Sequence, residues 1–228
     1  MGYCLVFRDM KTTKSTYLPE LAGLPLAKID AALASVPIAG KIDILNWVEQ
    51  YPTAPETVFA LAHTDEMFYV RYEVKGEVPL VTKNNDLELV NEDACVEIFI
   101  GDKDNSHYWN FEFNPAGVCN ASHRKERKVD VVRLNAEQLA SIQRYRQSPI
   151  ANRQSLPLEG EQEGASWSLL IGIPLSLIDL DLTKESSRRA NLYKCGDKTA
   201  MKHYASWNAI DAPAPAFHLP EFFGEIHF

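Results

Sequence analysis

A chain of 228 residues that is 46% hydrophobic and 24% charged can bury a sizeable core, which excludes a disordered or fibrous protein. Its net charge of -8 argues against a nucleic-acid partner, because phosphate-backbone binding depends on clustered cations that release counterions. No segment approaches the roughly 20 apolar residues of a membrane span. The start, MGYCLVFRDM, has no basic region followed by a long apolar stretch, so the chain is cytoplasmic as written, and secreted or periplasmic if a leader was removed.

Strand signals come first along the chain. TVFALAHT (57–64) and MFYVRYEV (67–74) are separated by the turn residues Thr64, Asp65 and Glu66, and the second alternates with Phe68, Val70, Tyr72 and Val74 inward. Lys75 and Gly76 mark the next turn.

CVEIFIGDKDNSHYWNFEFN (95–114) reads as two strands joined by a polar loop. With Gly101 to Ser106 as the loop, Ile100 lies opposite His107, Ile98 opposite Trp109, and Glu97 opposite Asn110. Side chains alternate faces along a strand, so Val96, Ile98, Trp109, Phe111 and Phe113 share an apolar face. Glu97, Tyr108, Asn110, Glu112 and Asn114 share a polar one. Beyond the hairpin, the basic run HRKERK (123–128) reads as a solvated turn or strand edge, with a phosphate or polyanion site as the alternative.

NAEQLASIQRY (135–145) offers Asn135 as an N-cap and Gln138 three residues later, which predicts a short surface helix with Leu139 and Ile142 on one stripe. WSLLIGI (167–173), apolar on both faces, reads as a central strand. Pro174 suits the first turn of a second short helix, and ANLYKC (190–195) is a further strand. The aromatic residues Phe217, Phe222 and Phe223 should hold the proline-rich C-terminal stretch, 211–224, against the rest. The intervals between strands mostly lack helical patterning. The expected fold is therefore all-β, a mostly antiparallel β sandwich of the immunoglobulin or jelly-roll kind with one or two short helices, formed by 1–228 as one domain.

Several chemistries can be weighed on these elements. Glu97 and Glu112, diagonal neighbours in the register above, could span the carboxyl separations that glycosidases use. Oxygen ligands cluster in GDKDN (101–105), with Glu92 and Asp93 nearby, but without the spacing of a calcium-binding EF-hand loop. The six histidines form no His-Glu-x-x-His arrangement, and there is no Gly-x-Ser-x-Gly elbow. The cysteines at 4, 95, 119 and 195 have no zinc-ribbon or redox spacing, although Cys95 and Cys119 could meet across strands. Polar-ligand recognition is the third chemistry: a sugar site combines flat aromatics with carboxylates and amides that take hydroxyls in pairs, and Trp207 with Tyr204 could join the hairpin's polar row.

The ordered series EDACVEIFI, YWNFEFNPAG, WSLLIGIPLSLI, ANLYKCGD and HYASWNAIDAPAPAFHLPEFFGEIHF resembles the family 9 carbohydrate-binding modules, in a stand-alone branch associated with xylanases, from about Ile42 to Phe228. The resemblance implies a β sandwich, structural calcium, and a terminal sugar ring held between two tryptophans beside a charged and amide-bearing cluster. Trp207 matches one wall. The other wall falls at Val90, three residues before Asp93, and Glu112 stands where sugar-binding members tend to carry an arginine. The expectation is non-catalytic binding of a plant-polysaccharide-derived sugar, xylan or glucan in type, with Trp207, Tyr204, Glu97, Asn110, Glu112 and Asn114 forming the site and no catalytic residue. The alternatives are a xylanase-like hydrolase using Glu97 and Glu112, and an interaction domain that has lost sugar binding.

Overall fold

The computed structural model describes residues 10–146 and 165–228. In chain order the strands are β1 (Thr12–Lys14), β2 (Thr16–Tyr17), β3 (Gly40–Lys41), β4 (Glu56–His63), β5 (Met67–Lys75), β6 (Cys95–Gly101), β7 (Tyr108–Phe113), β8 (Cys119–Arg124), β9 (Val132–Arg133), β10 (Gln143–Tyr145), β11 (Ser166–Pro174), β12 (Ser187–Gly196), β13 (His203–Ser206) and β14 (Gly224–His227). The α-helices are α1 (Leu26–Leu33) and α2 (Ala136–Ser141). The larger sheet runs β1-β14-β12-β6-β7-β8-β9 with β13 beside β12; the smaller runs β10-β11-β5-β4-β2 with β3 beside β4. Pairing is antiparallel except between β1 and β14 and between β2 and β4. This is the expected β sandwich.

Alternation places the core between the sheets. Phe68, Val70, Tyr72 and Val74 of β5 are fully buried and belong to one cluster with Val96, Ile98, Phe111 and Phe113 of the larger sheet. The outer face of the smaller sheet is covered by α1, whose Ile29 and Leu33 pack with Leu21 on Ala62, Tyr69 and Leu170. The outer face of the larger sheet is covered only in part, by Trp47 and by Ile210, Phe217 and Phe223 of the C-terminal stretch. What remains open on that face is the site described below.

The hairpin keeps the predicted faces but not the predicted pairing. Glu97 lies opposite Glu112, and Ile100 opposite Trp109, a displacement of two residues from the expected register. The cause is a turn centred one residue later: the Asp102 amide donates to the His107 carbonyl at 2.8 Å, Asn105 adopts a left-handed φ of 55°, and the Asp104 carboxylate accepts from the Ser106 amide. A shift of two preserves side-chain alternation, so every residue stays on its face.

Two other expectations change. Strand β11 runs through Pro174 and is followed by a turn in which the Leu177 amide donates to the Pro174 carbonyl, so no helix starts there. Cys95 faces Cys195 across β6 and β12, whereas Cys119 lies in the inter-sheet core, so Cys95 and Cys119 do not meet. Cys4 falls outside the described residues. The capping box of Asn135 and Gln138 forms at the start of α2 as expected. Helix α1 was not expected, because Pro25 at its N-cap supplies no capping side chain.

Candidate functional site

Registers across four neighbouring strands set out the floor of the open face. One row runs Tyr193, Glu97, Glu112, Asn120 across β12, β6, β7 and β8; the next runs Asn191, Phe99, Asn110, Ser122. Tyr204 of β13 extends the adjacent row beside Cys195 and Cys95. Pairing thus turns residues scattered over more than a hundred positions into one polar surface.

The carboxyls on this floor are unusual. Glu97 is 3% exposed and Glu112 is 6% exposed. Glu112 accepts from Asn110 at 2.9 Å and from Asn120 at 3.1 Å. Among the described residues, Glu97 accepts only from thiols, Cys195 at 3.1 Å and Cys95 at 3.8 Å. Burial pushes the Glu97 carboxyl well above its ordinary range, aided by Cys195 and by the facing Glu112. Burial likewise raises Glu112, against the opposing pull of Asn120 and Arg124. Burial raises the Cys95 thiol to about 12.

A stability prediction follows from Glu97. Between the unfolded carboxyl's pKa and the raised folded one, the native state holds a proton that the unfolded state has lost, so stability falls as pH rises through that window. Glu97→Gln removes this slope. Thermal melts should show a gain for the variant over wild type that is small at about pH 4 and grows toward about pH 8. A constant difference across that range would contradict the assignment.

The walls complete a cleft of about 590 Å³. Leu89 and Asn91 line it from the segment before β6; Tyr204 and Asp197 line it beyond β12; Pro215, Phe217 and His218 come from the C-terminal stretch. Tyr204 donates from its hydroxyl to Asp197, and its ring meets Tyr51 edge-on at 4.7 Å and Phe217 at 6.0 Å. Phe217 in turn stacks on Tyr193 at 4.2 Å. The remaining wall is basic: Arg124, Arg127, Lys128 and Arg133, from β8, β9 and their connection. Half of the run read as a solvated turn therefore faces the cleft.

The structure brings Glu97, Glu112 and Tyr204 together in this cleft. Asn110 lies just behind it, fully buried, donating to Glu112 and accepting from Ser122, so it orients the floor. Asn114, itself fully buried, does a different job: it donates to the Lys83 carbonyl and to Asp93 and accepts from two amides of its own turn. Trp207 is a correction. It is 3% exposed in the inter-sheet core, edge-on to Phe59, and a Cβ at Gly224 would sit 2.7 Å from its ring. Both faces are covered by protein, so Trp207 cannot stack on a ligand. Val90 is also fully buried, while its neighbour Leu89 is exposed on the cleft wall. Asn120, Phe217, His218 and the four cations were missed. The basic run was a sequence signal for Arg124, Arg127 and Lys128 alone.

For the implied calcium, two groups of donors can be weighed, and neither fits. Asp93 accepts from Thr82, Lys83 and Asn114 through both carboxylate oxygens, which leaves it saturated with donors. Among the described residues, the grouping of three side-chain ligands is Cys95, Glu97 and Cys195, two thiols and one carboxyl. Neither arrangement is an oxygen cage of the kind calcium takes.

A family model described as carbohydrate-binding family 9 matches residues 28–228. A crystal structure of "a putative carbohydrate-binding protein" from Bacteroides uniformis is 29% identical, covers 96% of this chain and 100% of its own, and has a TM-score of 0.80. A family 9 carbohydrate-binding module from Caldicellulosiruptor kristjanssonii in complex with cellotriose has a TM-score of 0.60 at 14% identity, over 95% of this chain and 93% of that one. The module of that organism in complex with glucose has a TM-score of 0.55 at 15% identity, over 95% of each chain. A search of curated proteins finds no match.

Proposed function

The chain belongs to carbohydrate-binding family 9, and from that premise we propose that the cleft on the outer face of the larger sheet is its sugar-recognition site. The observation that carries the reading is the floor row of Glu97, Glu112 and Asn120, set beside the rings of Tyr204 and Phe217. Carboxyl and amide groups side by side take adjacent sugar hydroxyls in pairs, and an aromatic wall suits the apolar face of a pyranose ring. At about 590 Å³ the cleft is of a size common among small-molecule sites. The ligand is a soluble sugar or a sugar terminus derived from plant polysaccharide, of the xylan or glucan type.

The grip differs from a two-tryptophan clamp. Trp207 is core, Val90 is buried, and the walls are Leu89, Tyr204 and Phe217. Affinity should therefore be modest, at about -4 to -6 kcal/mol, or millimolar to tens of micromolar. Titration calorimetry against cellobiose and xylobiose tests this. Binding in that range, weakened about tenfold or more by Glu112→Ala, is the expected result. No heat with any sugar would instead support an interaction domain that has lost the function.

A hydrolase reading has one observation in its favour. Direct cross-strand pairing brings Glu97 and Glu112 closer than the diagonal arrangement, toward the separation of retaining glycosidases. Against it, both carboxyls are almost fully buried, and the two Glu112 oxygens are already taken by Asn110 and Asn120. Xylo-oligosaccharides incubated with wild type should remain intact. Turnover lost in both Glu97→Gln and Glu112→Gln would establish the enzyme.

A further inference from the structure

The cleft's basic wall is out of keeping with the rest of the molecule. In a protein of net charge -8, Arg124, Arg127, Lys128 and Arg133 converge on one cavity. None of the four makes an ion pair with a carboxylate among the described residues. Cations nearby behave otherwise: Lys83 and Lys198 both pair with Glu92, and Arg144 pairs with Asp86.

The hydrogen bonds these side chains make go to neutral acceptors. Arg124 donates to the Ser122 hydroxyl and the Arg127 carbonyl, and Arg133 donates to the Leu87 carbonyl. These contacts fix guanidinium position without neutralising it. On the floor, burial pushes the Glu97 carboxyl well above its ordinary range and raises that of Glu112, although Asn120 and Arg124 pull Glu112 the other way. His218, at the cleft edge, is lowered to about 3 by burial and then by the charges of Arg124 and Arg127. The remaining acid in the lining, Asp197, is engaged by Tyr204 and Asn91.

Resting on the sugar-binding reading above, we infer that the cleft selects an anionic sugar, one bearing a carboxylate such as a uronic acid, with Arg124, Arg127, Lys128 and Arg133 receiving the anion. Planar guanidinium groups match a planar carboxylate through two parallel hydrogen bonds, a geometry a neutral hydroxymethyl group cannot use. The carboxyl and amide groups of the floor then read the ring hydroxyls while the basic wall reads the charge. A sulfated sugar presents the same charge through a tetrahedral group, and the test separates the two.

Calorimetry on the full chain should compare a glucuronic-acid-terminated xylo-oligosaccharide with the same compound after reduction of its carboxyl to the alcohol. A sulfated disaccharide and inorganic sulfate serve as further probes. The acid is expected to bind at least about tenfold more tightly than its reduced form in low salt, with the advantage shrinking as sodium chloride rises. Arg127→Gln combined with Lys128→Gln, at two exposed side chains, should cut that preference about fivefold without lowering the melting temperature. A sulfated sugar that outcompetes the acid would overturn the carboxylate assignment. Equal binding of acid and alcohol would overturn the inference while leaving sugar recognition intact. Failure of every sugar, neutral or charged, would remove the underlying reading as well, and inorganic sulfate binding as tightly as the acid would show an anion site that ignores the sugar.

Discussion

Replacing Trp207 by alanine should cost about 3–5 kcal/mol of stability, the range for deleting a large aromatic from a packed core. The indole stands between the sheets, edge-on to Phe59 at 6.0 Å, with Gly40 and Gly224 leaving room for it. Its own amide donates to the Leu192 carbonyl, which ties the segment after β13 to β12. Truncation would open a cavity lined by both sheets, and a core of this density relaxes only partly. Urea unfolding followed by fluorescence or circular dichroism measures the loss. A cost below about 1 kcal/mol, with sugar binding abolished, would return Trp207 to the role of a stacking wall.

Lys194→Met should be comparably damaging, at about 3–5 kcal/mol, because it breaks a buried ion pair from one side. The ammonium is fully buried and donates to Glu77 at 3.1 Å, to the Cys195 carbonyl at 3.0 Å, and lies 2.8 Å from His203 Nε2. Glu77 also accepts from the Trp167 indole at 3.1 Å. Removing the lysine strands a carboxylate among apolar side chains with one neutral donor. Adding Glu77→Gln to the first substitution should recover a large part of the loss, and no recovery would contradict the ion-pair account. The same cluster sets an acid limit. Burial, and then the charge of Lys194, lowers His203 to about 2, so the unfolded chain takes up a proton below the usual histidine value that the folded chain refuses. Stability should fall as pH drops through that window.

Much of the fold was legible because period-two patterning is a local signal. Met67 to Val74 announced both its strand and its inward face, and the two faces of the 95–114 hairpin survived a two-residue error in register because alternation is unchanged by an even shift. The loop was harder. Where DKDNS turns depends on a left-handed Asn105 and an aspartate cap, which composition does not specify. Trp207 was misplaced for a different reason: a tryptophan flanked by polar residues looks the same in sequence whether it faces the core or a ligand, and only the packing of Phe59, Gly40 and Gly224 decides. Asn114 and Glu112 sit two residues apart on one face, yet one braces a buried turn and the other lines the cleft. The basic wall escaped because Arg133 joins Arg124, Arg127 and Lys128 only through the pairing of β8 with β9.

The sugar titration followed residue by residue in nitrogen-proton correlation spectra bears most directly on the central claim. Addition of cellobiose, xylobiose or a glucuronic-acid-bearing oligosaccharide should move the side-chain amide of Asn120 and the backbone amides of Asn120, Tyr204, Phe217 and their neighbours around Glu97 and Glu112, in fast exchange and saturably. Residues of α1 and the outer face of the smaller sheet should stay still. Shifts confined to that opposite face, or saturating sugar that leaves the cleft residues unmoved, would contradict the account.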